Sequence, residues 1–440
     1  MLAQNAVYLP ALGGANKSNR LLVEELAARG HACRAIAPAH NESIGVSCGE
    51  FLNDLANREI YPHSSDSQVA CFVCNGVMVH AVFMRSRLRS YLVDQIREFE
   101  PDWILVSSED LGQLLLEAAV EAAPSRVIYL AHTTLALPFG PSCFVENRTK
   151  TKLLQRTAGI ITVSNYLRNY IREWAGLESI VLPILHYGPG PFPDHGRFDN
   201  RFVTMINPCA VKGISIFVSL AARFPEVEFA TVPTWGTTDA DRRMLESLGN
   251  VRILNPVEEI DEIYSQTRIL LVPSLWAEAY GRVVIEAMLR GIPVLASNVG
   301  GLPEANLGVG GVLPIRPIER YESRLDSQML PVPLVPEQDV EPWVAALREL
   351  LSDRARYERL SRESRQAALT FVSGQNMAVI ESFLQGIGLN GPLGSHDQSV
   401  ETDPDDKPLD HVSDFADRLN RLSPERRALL ALRLGKKIDK

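Results

Sequence analysis

The chain has 440 residues, of which 46% are hydrophobic and 22% are charged. This length exceeds one ordinary domain, so we expect two or three domains with sizeable hydrophobic cores. The net charge of −9 at pH 7 argues against a general nucleic-acid-binding protein, because such a protein needs a basic surface to neutralise phosphates.

The sequence favours a reducing, cytoplasmic setting. Met1 is followed by LAQNAVYLP, which lacks the basic start of a signal peptide, and no run of about 18 apolar residues could span a membrane. Cys71 and Cys74 form a CxxC pair in an apolar run with the pattern of a strand, without the second pair or the histidines of a zinc site. We therefore expect buried thiols and no metal ion.

The first half of the chain alternates predicted strands and helices. A strand over 6–9 runs into the pair Gly13-Gly14, a helix follows over 19–29, and the next strand covers 32–38. This order is typical of the start of a Rossmann-like half. Further strands are predicted at 69–79, 101–108, 125–132 and 159–164, with helices at 84–99, 111–122, 146–158 and 166–174. The alternation favours a parallel sheet covered by helices on both faces.

A domain boundary is predicted near 184–200, which is dense in Pro, Gly, His and Asp and has no apolar period. A second series of strands and helices begins at 202–206, and a proline-bearing insertion covers 315–341. Further strands are predicted at 227–232, 251–254 and 268–272, with helices at 212–223, 260–266, 342–351, 355–369 and 377–384.

The segment 271–304 has the pattern of a strand, a short loop, a helix, a strand and a glycine loop. Gly281 opens its helix, Glu278 lies in the loop just before, and Glu286 lies inside the helix. Eight residues at about 100° each place the two carboxylates ~80° apart, so they could line one groove. Carboxylates accept paired hydrogen bonds from vicinal diols. An isolated pair of this kind would more often cap the helix and form an ion pair, but the surrounding pattern favours ligand binding.

Three features predict an anionic, hydroxyl-rich ligand. Glycine loops at 13–14 and 278–282 follow strands, and ligands of open α/β sheets bind at that edge. Helix N-termini present unpaired N–H groups that suit a diphosphate, and Lys212 near another helix start could add a full charge. His132 ends a strand at the same edge, where ligand contact and core hydrogen bonding both remain open.

Three common alternatives do not match. The run from Gly13 to Ser18 ends like a phosphate-binding P-loop, but Ala11 and Asn16 stand where that motif needs glycine. The absence of GxGxxG argues against nicotinamide binding, and the absence of GxSxG argues against a hydrolase.

With these residues in view, the chain resembles the retaining nucleotide-sugar glycosyltransferases of the GT-B fold, the family 4 or group 1 set. The likeness is strongest over 268–304, where Glu278 and Glu286 match the Glu–seven residues–Glu block that precedes the GxPV and GGxPE segments. The Gly-Gly loop, His132, the VSN at 163–165 and Lys212-Gly213 follow in the family's order. The resemblance covers roughly 1–387.

The resemblance implies an α/β protein with two Rossmann-like domains that face each other across a cleft. The tail beyond it is predicted to be helical, since Ser423-Pro424 is a strong helix start. The predicted parts are an acceptor-side domain at 1–186, a linker at 187–200, a donor-binding domain at 201–372, a crossover helix at 373–387, a disordered acidic linker at 388–410 and a helical tail at 411–440.

The resemblance also implies the roles of single residues. Glu286 would bind the ribose, Glu278 the donor-sugar hydroxyls, and Lys212 the diphosphate. His132 would contact the sugar near the reacting carbon, so His132, Glu278 and Lys212 would be the catalytic residues. The remaining donor-binding residues would be Gly13, Gly14, Ala279, Tyr280, Gly281 and Arg282. The family transfers the sugar with retention and without a metal ion or a cofactor, and a phosphate oxygen takes the acceptor's proton.

One departure leaves the activity open. Ile206 and Asn207 stand where the family commonly has an arginine that binds the diphosphate, and Arg282 is a candidate substitute. We expect transfer to a small-molecule acceptor, and a natural product if the tail is an assembly-line docking segment; that tail could equally fold onto this protein or a dimer partner. One alternative is a catalytically impaired binding or scaffold module recruited through the tail. Another is a lipid or sugar-phosphate glycosyltransferase at the membrane surface, although the arginines of the helix 84–99 fit a solvated face better.

Overall fold

The computed structural model describes residues 1–11, 13–40, 48–182, 187–188, 190–325 and 331–390. These residues form two compact units. The first holds Met1–Leu130, Asn147–Ile161 and the described chain from Glu381 onward, and the second holds Ala131–Glu146 and Thr162–Ile380. The predicted tail at 411–440, and all but the first three residues of the predicted acidic linker, lie outside the described residues.

The first sheet has nine strands within the described ranges. Strands β1 to β9 cover Leu2–Ala3, Cys33–Pro38, Ser64–Ser65, Val69–Cys74, Val77–Val82, Ile104–Ser107, Val127–Ala131, Gly159–Thr162 and Ile180–Val181. Their order is β3-β4-β5-β2-β1-β6-β7-β8-β9, and the run from β5 to β7 is parallel. The six strands from β5 to β8 follow the Rossmann order, in which chain direction along the sheet reverses between β1 and β6.

One predicted strand of this half is wrong. The prediction at 6–9 fails because β1 lies at Leu2–Ala3, and the Gln4 side chain donates to the carbonyls of Ala6 and Val7, which ties that segment into a loop. The one or two strands predicted at 69–79 are two strands of an antiparallel hairpin, because Asn75 and Gly76 both have positive φ and form a tight turn between β4 and β5.

The helices of this half bracket the strands as predicted. Helices α1 to α6 cover Gly14–Ala28, Cys48–Asn57, Leu88–Phe99, Leu114–Ala122, Arg148–Gln155 and Asn165–Ala175. Helix α1 begins at Gly14, five residues before the predicted start, so the glycine pair lies at the helix N-terminus itself. No helix within the described residues is both long enough and apolar enough to cross a bilayer.

The second sheet lies wholly in the second unit and is parallel throughout. Strands β10 to β15 cover Phe202–Ile206, Phe229–Val232, Val251–Ile253, Thr267–Val272, Val294–Ser297 and Val312–Leu313. Their order, β12-β11-β10-β13-β14-β15, is again the Rossmann order. The reversal falls between β10 and β13, so the loops that follow these two strands meet where such sheets bind ligands.

Helices pack around the second sheet and complete its core. Helices α7 to α13 cover Ile214–Arg223, Asp239–Glu246, Asp261–Tyr264, Arg282–Leu289, Leu302–Ala305, Glu341–Ser352 and Arg354–Ser373. The next helix, α14 at Met377–Asn390, begins in the second unit and belongs to the first unit from Glu381 onward. Phe217, Phe229, Trp343 and Tyr357 are fully buried in one cluster. The insertion at 315–341 contains an antiparallel hairpin of β16 and β17, at Tyr321–Leu325 and Pro331–Pro333.

The last described helix is tied to the end of α1 by one carboxylate. Glu381 accepts hydrogen bonds from the Arg29 guanidinium, at 2.6 and 2.9 Å, and lies 2.9 Å from His31 Nε2. These hydrogen bonds and charges lower the pKa of Glu381 to about 2. The carboxylate is therefore ionised at any physiological pH.

We expect the substitution Gly213→Ala to destabilise the second unit. Gly213 has a φ of 81°, and a Cβ atom there would lie 1.8 Å from the Pro273 carbonyl oxygen. A backbone atom cannot move aside as a flexible side chain can, so the cost should exceed the ~1–2 kcal/mol of a left-handed residue alone. Urea unfolding measures the free-energy change.

Gly249→Ala is the matched control, because its Cβ would meet open space at an ordinary φ. We expect the control to stay within about 0.5 kcal/mol of the parent protein. Equal stabilities for the two variants would contradict the backbone contact described for Gly213.

Candidate functional site

Two loops meet at the reversal point of the second sheet. The loop at 207–213 follows β10, and the loop at 273–281 follows β13. The backbone N–H of Leu275 donates to the Val211 carbonyl at 2.9 Å, which joins the two loops directly. Side chains on both loops are thereby held at the carboxyl edge of the sheet, where ligands of this fold class bind.

An ion pair links these loops. Lys212 Nζ donates to Glu278 Oε1 at 2.5 Å, and Ser274 Oγ donates to the same oxygen at 2.6 Å. The side chains of Lys212 and Glu278 are only 20% and 12% exposed. Burial by itself raises the pKa of the Glu278 carboxyl, but the Lys212 charge and the hydrogen bonds outweigh it and hold that pKa below its usual range. Two opposite charges therefore face each other at neutral pH.

Two tryptophans flank this pair. Lys212 Nζ lies 5.0 Å from the centre of the Trp276 ring, a cation–π distance. The Trp235 ring packs against Trp276 with centroids 5.9 Å apart, and 44% of Trp235 is exposed. Sequence reasoning missed both rings and Ser274 as site residues. The available signal for Trp235 was the short polar run Trp-Gly-Thr-Thr at 235–238, which comes soon after the strand predicted at 227–232.

The glycine loop after β14 fixes the start of α10. The Gly301 N–H donates to the Glu278 carbonyl at 2.7 Å, and a Cβ on Gly301 would lie 2.4 Å from the Ala279 carbonyl oxygen. Gly281, with a φ of 99°, then turns the chain into the helix. The predicted donor-binding residues 279–282 therefore lie together at one helix N-terminus, where backbone N–H groups have no partner within the helix.

The second predicted carboxylate also has a cationic partner. Arg282 Nε donates to Glu286 Oε1 at 2.7 Å, four residues along α10, and the Arg282 guanidinium lies 4.9 Å from the centre of the Tyr187 ring. Glu278 and Glu286 thus each belong to a separate ion pair. Tyr187 is another site neighbour that the sequence did not indicate, since it lies in the segment predicted to be a linker.

His132 lies just after β7 and is buried within the second unit. Burial, and then the charge of Arg282, lower the pKa of His132 to about 4. The imidazole is therefore neutral over the physiological range. Gly13 and Gly14 lie in the first unit at the start of α1, and their contact with a ligand stays a prediction.

The position of the absent arginine is occupied by a structural amide. Ile206 ends β10, and Asn207 adopts a positive φ of 59°. Asn207 Oδ1 accepts a hydrogen bond from the Gly236 N–H at 3.0 Å, so the side chain holds the turn at 235–238 in place. Neither residue brings a cation to the site.

Two motifs named from the sequence meet in the second unit. The Glu304 carboxylate, which ends the GGLPE segment, accepts hydrogen bonds from the Asn165 backbone N–H at 2.9 Å and from its side chain at 2.8 Å. Ser164 Oγ donates to the Ala279 carbonyl at 2.5 Å. The VSN segment therefore supports the loop that carries Glu278. Within the described residues no group of three or more His, Cys, Asp or Glu side chains is arranged to hold a metal ion.

Two family models match complementary parts of the chain. A glycosyltransferase family 4 model matches residues 12–183, and a model of glycosyl transferases group 1 matches residues 202–353. Among proteins of known name, the phosphatidyl-myo-inositol mannosyltransferase of Mycolicibacterium smegmatis is 24% identical over 62% of this chain and 68% of its own. The D-inositol 3-phosphate glycosyltransferase of Corynebacterium glutamicum is 31% identical, over only 33% of this chain and 31% of its own.

Solved structures share the architecture over most of the chain. The sucrose-phosphate synthase of Thermosynechococcus elongatus has a TM-score of 0.60 at 18% identity, over 88% of this chain and 97% of that one. Anabaena HepE in complex with UDP-glucose has a TM-score of 0.60 at 16% identity, over 88% and 99%. At these identities the likeness establishes the fold. Together with the two family models, it shows that the chain belongs to the family 4, group 1 glycosyltransferases with the GT-B fold.

Proposed function

We propose that this chain transfers a sugar from a nucleotide-sugar donor to a hydroxyl of a small-molecule acceptor, with retention at the anomeric carbon. The observation that carries the proposal is the Lys212–Glu278 pair at the reversal point, beside the N-terminus of α10. A cation, a carboxylate and the N-terminal N–H groups of a helix match the diphosphate and hydroxyls of such a donor.

The donor roles proposed here are those that the family resemblance implies, and this arrangement is compatible with them. Lys212 and the backbone N–H groups at 280–282 would hold the diphosphate, with Glu278 on the sugar hydroxyls. Glu286 would hold the ribose. Each carboxylate already has a cationic partner before the donor arrives. Arg282, paired with Glu286, is the candidate substitute for the arginine that 206–207 lack.

The reaction we propose needs no protein nucleophile. The bond between the anomeric carbon and the diphosphate oxygen breaks, and the acceptor oxygen bonds to the same face of that carbon. The acceptor's proton passes to a phosphate oxygen of the leaving nucleoside diphosphate. Lys212 and the start of α10 stabilise the negative charge that develops on that group, in place of a metal ion.

The relatives support the general class of both substrates. The name of the mycobacterial relative specifies mannosyl transfer to a phosphatidyl-inositol, and that of the corynebacterial relative specifies an inositol phosphate. The Anabaena structure was solved with UDP-glucose. We therefore take UDP-glucose and GDP-mannose as the first donors to test, and hydroxyl-bearing small molecules as acceptors.

Removing the site cation should abolish most of the activity. For Lys212→Ala we expect kcat/KM for transfer to fall roughly 10²- to 10³-fold, as when one preorganised stabilising group is lost from an active site. Glu286→Gln should raise the KM for the donor, because a carboxylate that accepts two ribose hydroxyls becomes a neutral amide. Release of nucleoside diphosphate, coupled to mass analysis of the product, measures both.

Arg243→Ala is the matched control, since Arg243 is an exposed cation on α8 of the same unit. Its kinetic constants should equal those of the parent. Near-normal transfer by the Lys212→Ala, Glu286→Gln double variant would overturn the proposal. Calorimetric binding of UDP or GDP by the parent chain without hydrolysis or transfer would instead favour a binding module, the alternative that the absent arginine motivates.

The kcat/KM for transfer should not change with the titration of a histidine between pH 8 and about 5.5. Burial and Arg282 lower the pKa of His132 to about 4, so its imidazole stays neutral as the pH falls from 8 to about 5.5. We expect kcat/KM to show no midpoint near 6.5 in this range. A limb near 6.5 that disappears in His132→Asn would show that the imidazole titrates normally, and would contradict the burial described.

A further inference from the structure

We propose that a cavity beside the Glu278 loop is the acceptor site, and that it selects an uncharged, largely apolar molecule bearing a hydroxyl. The inference rests on the proposed transfer activity and names its acceptor class. The cavity lies within the second unit and has a volume of about 460 Å³. That size falls in the range of small-molecule binding sites.

The cavity borders the proposed donor site through shared residues. Trp276 and Ala277 line it, and both belong to the loop that continues directly into Glu278. Trp276 also contacts the proposed donor site, because the Lys212 ammonium lies 5.0 Å from its ring centre. A molecule in the cavity would therefore lie next to the sugar that Glu278 is proposed to hold.

The walls of the cavity are mainly apolar and aromatic. Leu135 comes from the segment after β7, Val299 from the glycine loop, and Ile318 and Tyr321 from the insertion at 315–341. Apolar walls of this kind gain from covering an apolar ligand surface. Thr134 and Ser142, which also line the cavity, offer hydroxyls that could orient a polar group of the ligand.

The charge of the lining argues against a phosphorylated acceptor. Among the described lining residues, Glu319 is the only one with a charged side chain, and none of them is Lys, Arg or His. A phosphate placed here would lose water without gaining a cation, and Glu319 would repel it. We therefore infer that this cavity does not favour an inositol phosphate, the compound that the name of the corynebacterial relative specifies.

The insertion forms a fixed wall of the cavity. The Ile318 N–H donates to the Leu275 carbonyl at 2.8 Å, which ties the insertion to the same loop that pairs with Val211. Ile318 itself is buried, and Tyr321 opposes Pro333 where β16 pairs with β17. The segment that is atypical of the family thus supplies the surface that sets the acceptor preference.

Two probes of opposite chemistry test the proposal on the full-length chain. 2-Naphthalenemethanol is uncharged, aromatic and bears one hydroxyl; D-inositol 3-phosphate is polar and anionic. We expect calorimetry in the presence of UDP to show at least tenfold tighter binding of the naphthyl alcohol. The same preference should appear in transfer from the donor that the chain uses.

Substitutions of single lining residues test whether the preference between the two probes comes from this cavity. Tyr321→Ala should weaken binding of the naphthyl alcohol about tenfold, since it removes an aromatic contact. Glu319→Lys should strengthen binding of D-inositol 3-phosphate at least fivefold by placing a cation at the cavity. Arg320→Ala, on the same insertion but outside the lining, is the control and should change neither affinity. UDP binding should be equal in all three variants, which shows that they fold.

The outcomes separate this inference from the proposed function. Tighter binding of D-inositol 3-phosphate by the parent chain, or an unchanged affinity of Tyr321→Ala for the naphthyl alcohol, would overturn the acceptor assignment while UDP binding and donor turnover stand. Failure of the parent chain to bind any nucleotide or nucleotide sugar would overturn the proposed function instead.

Discussion

The ion pair between Lys212 and Glu278 is the contact around which the second unit's site is organised. A partly buried carboxylate or ammonium is costly on its own, so each charge requires the other and the loops that carry them must stay together. The Ser274 hydroxyl donates a second hydrogen bond to Glu278, and the Leu275–Val211 backbone hydrogen bond joins the same two loops. The pair therefore links β10 to β13 at the one point where the sheet order opens a crevice.

Several glycines allow the backbones of neighbouring loops to lie in close contact. Gly213 passes against the Pro273 carbonyl, and Gly300 and Gly301 pass against the backbone of Glu278 and Ala279. A side chain at any of these positions would displace the loop that carries the carboxylate. Helix α10 then begins from a fixed position, which keeps its N-terminal N–H groups directed at one place.

The charges of the site are preorganised in pairs of opposite sign. Lys212 with Glu278, and Arg282 with Glu286, leave the region without a large excess of either sign. A donor that carries both a diphosphate and vicinal hydroxyls can satisfy cation and carboxylate at once, whereas a simple anion satisfies only the first. The pairing itself thus favours a nucleotide sugar over inorganic phosphate.

Much of the fold could be predicted because the strands of parallel sheets are continuous apolar runs bounded by glycine and proline. The predicted strand at 202–206 matches β10 residue for residue, and the alternation of elements is confirmed in both halves. The strand predicted at 6–9 is wrong for a local reason: Gln4 ties that apolar run into a loop through its side chain, and the actual strand, β1, is only two residues long. Short strands depend on their neighbours in the sheet rather than on their own pattern.

By itself, the sequence determined the family, the order of the elements and the block that contains Glu278 and Glu286, because these follow from local spacing. Only the tertiary structure decided which partners those carboxylates have, that Trp235 and Trp276 stand beside Lys212, and that Asn207 holds a turn instead of a phosphate. It also decided that the insertion lines a cavity next to the Glu278 loop. Contacts between loops far apart in the chain depend on how the sheet brings strand ends together. The spacing of residues along the sequence does not reveal how close two such loops lie in space.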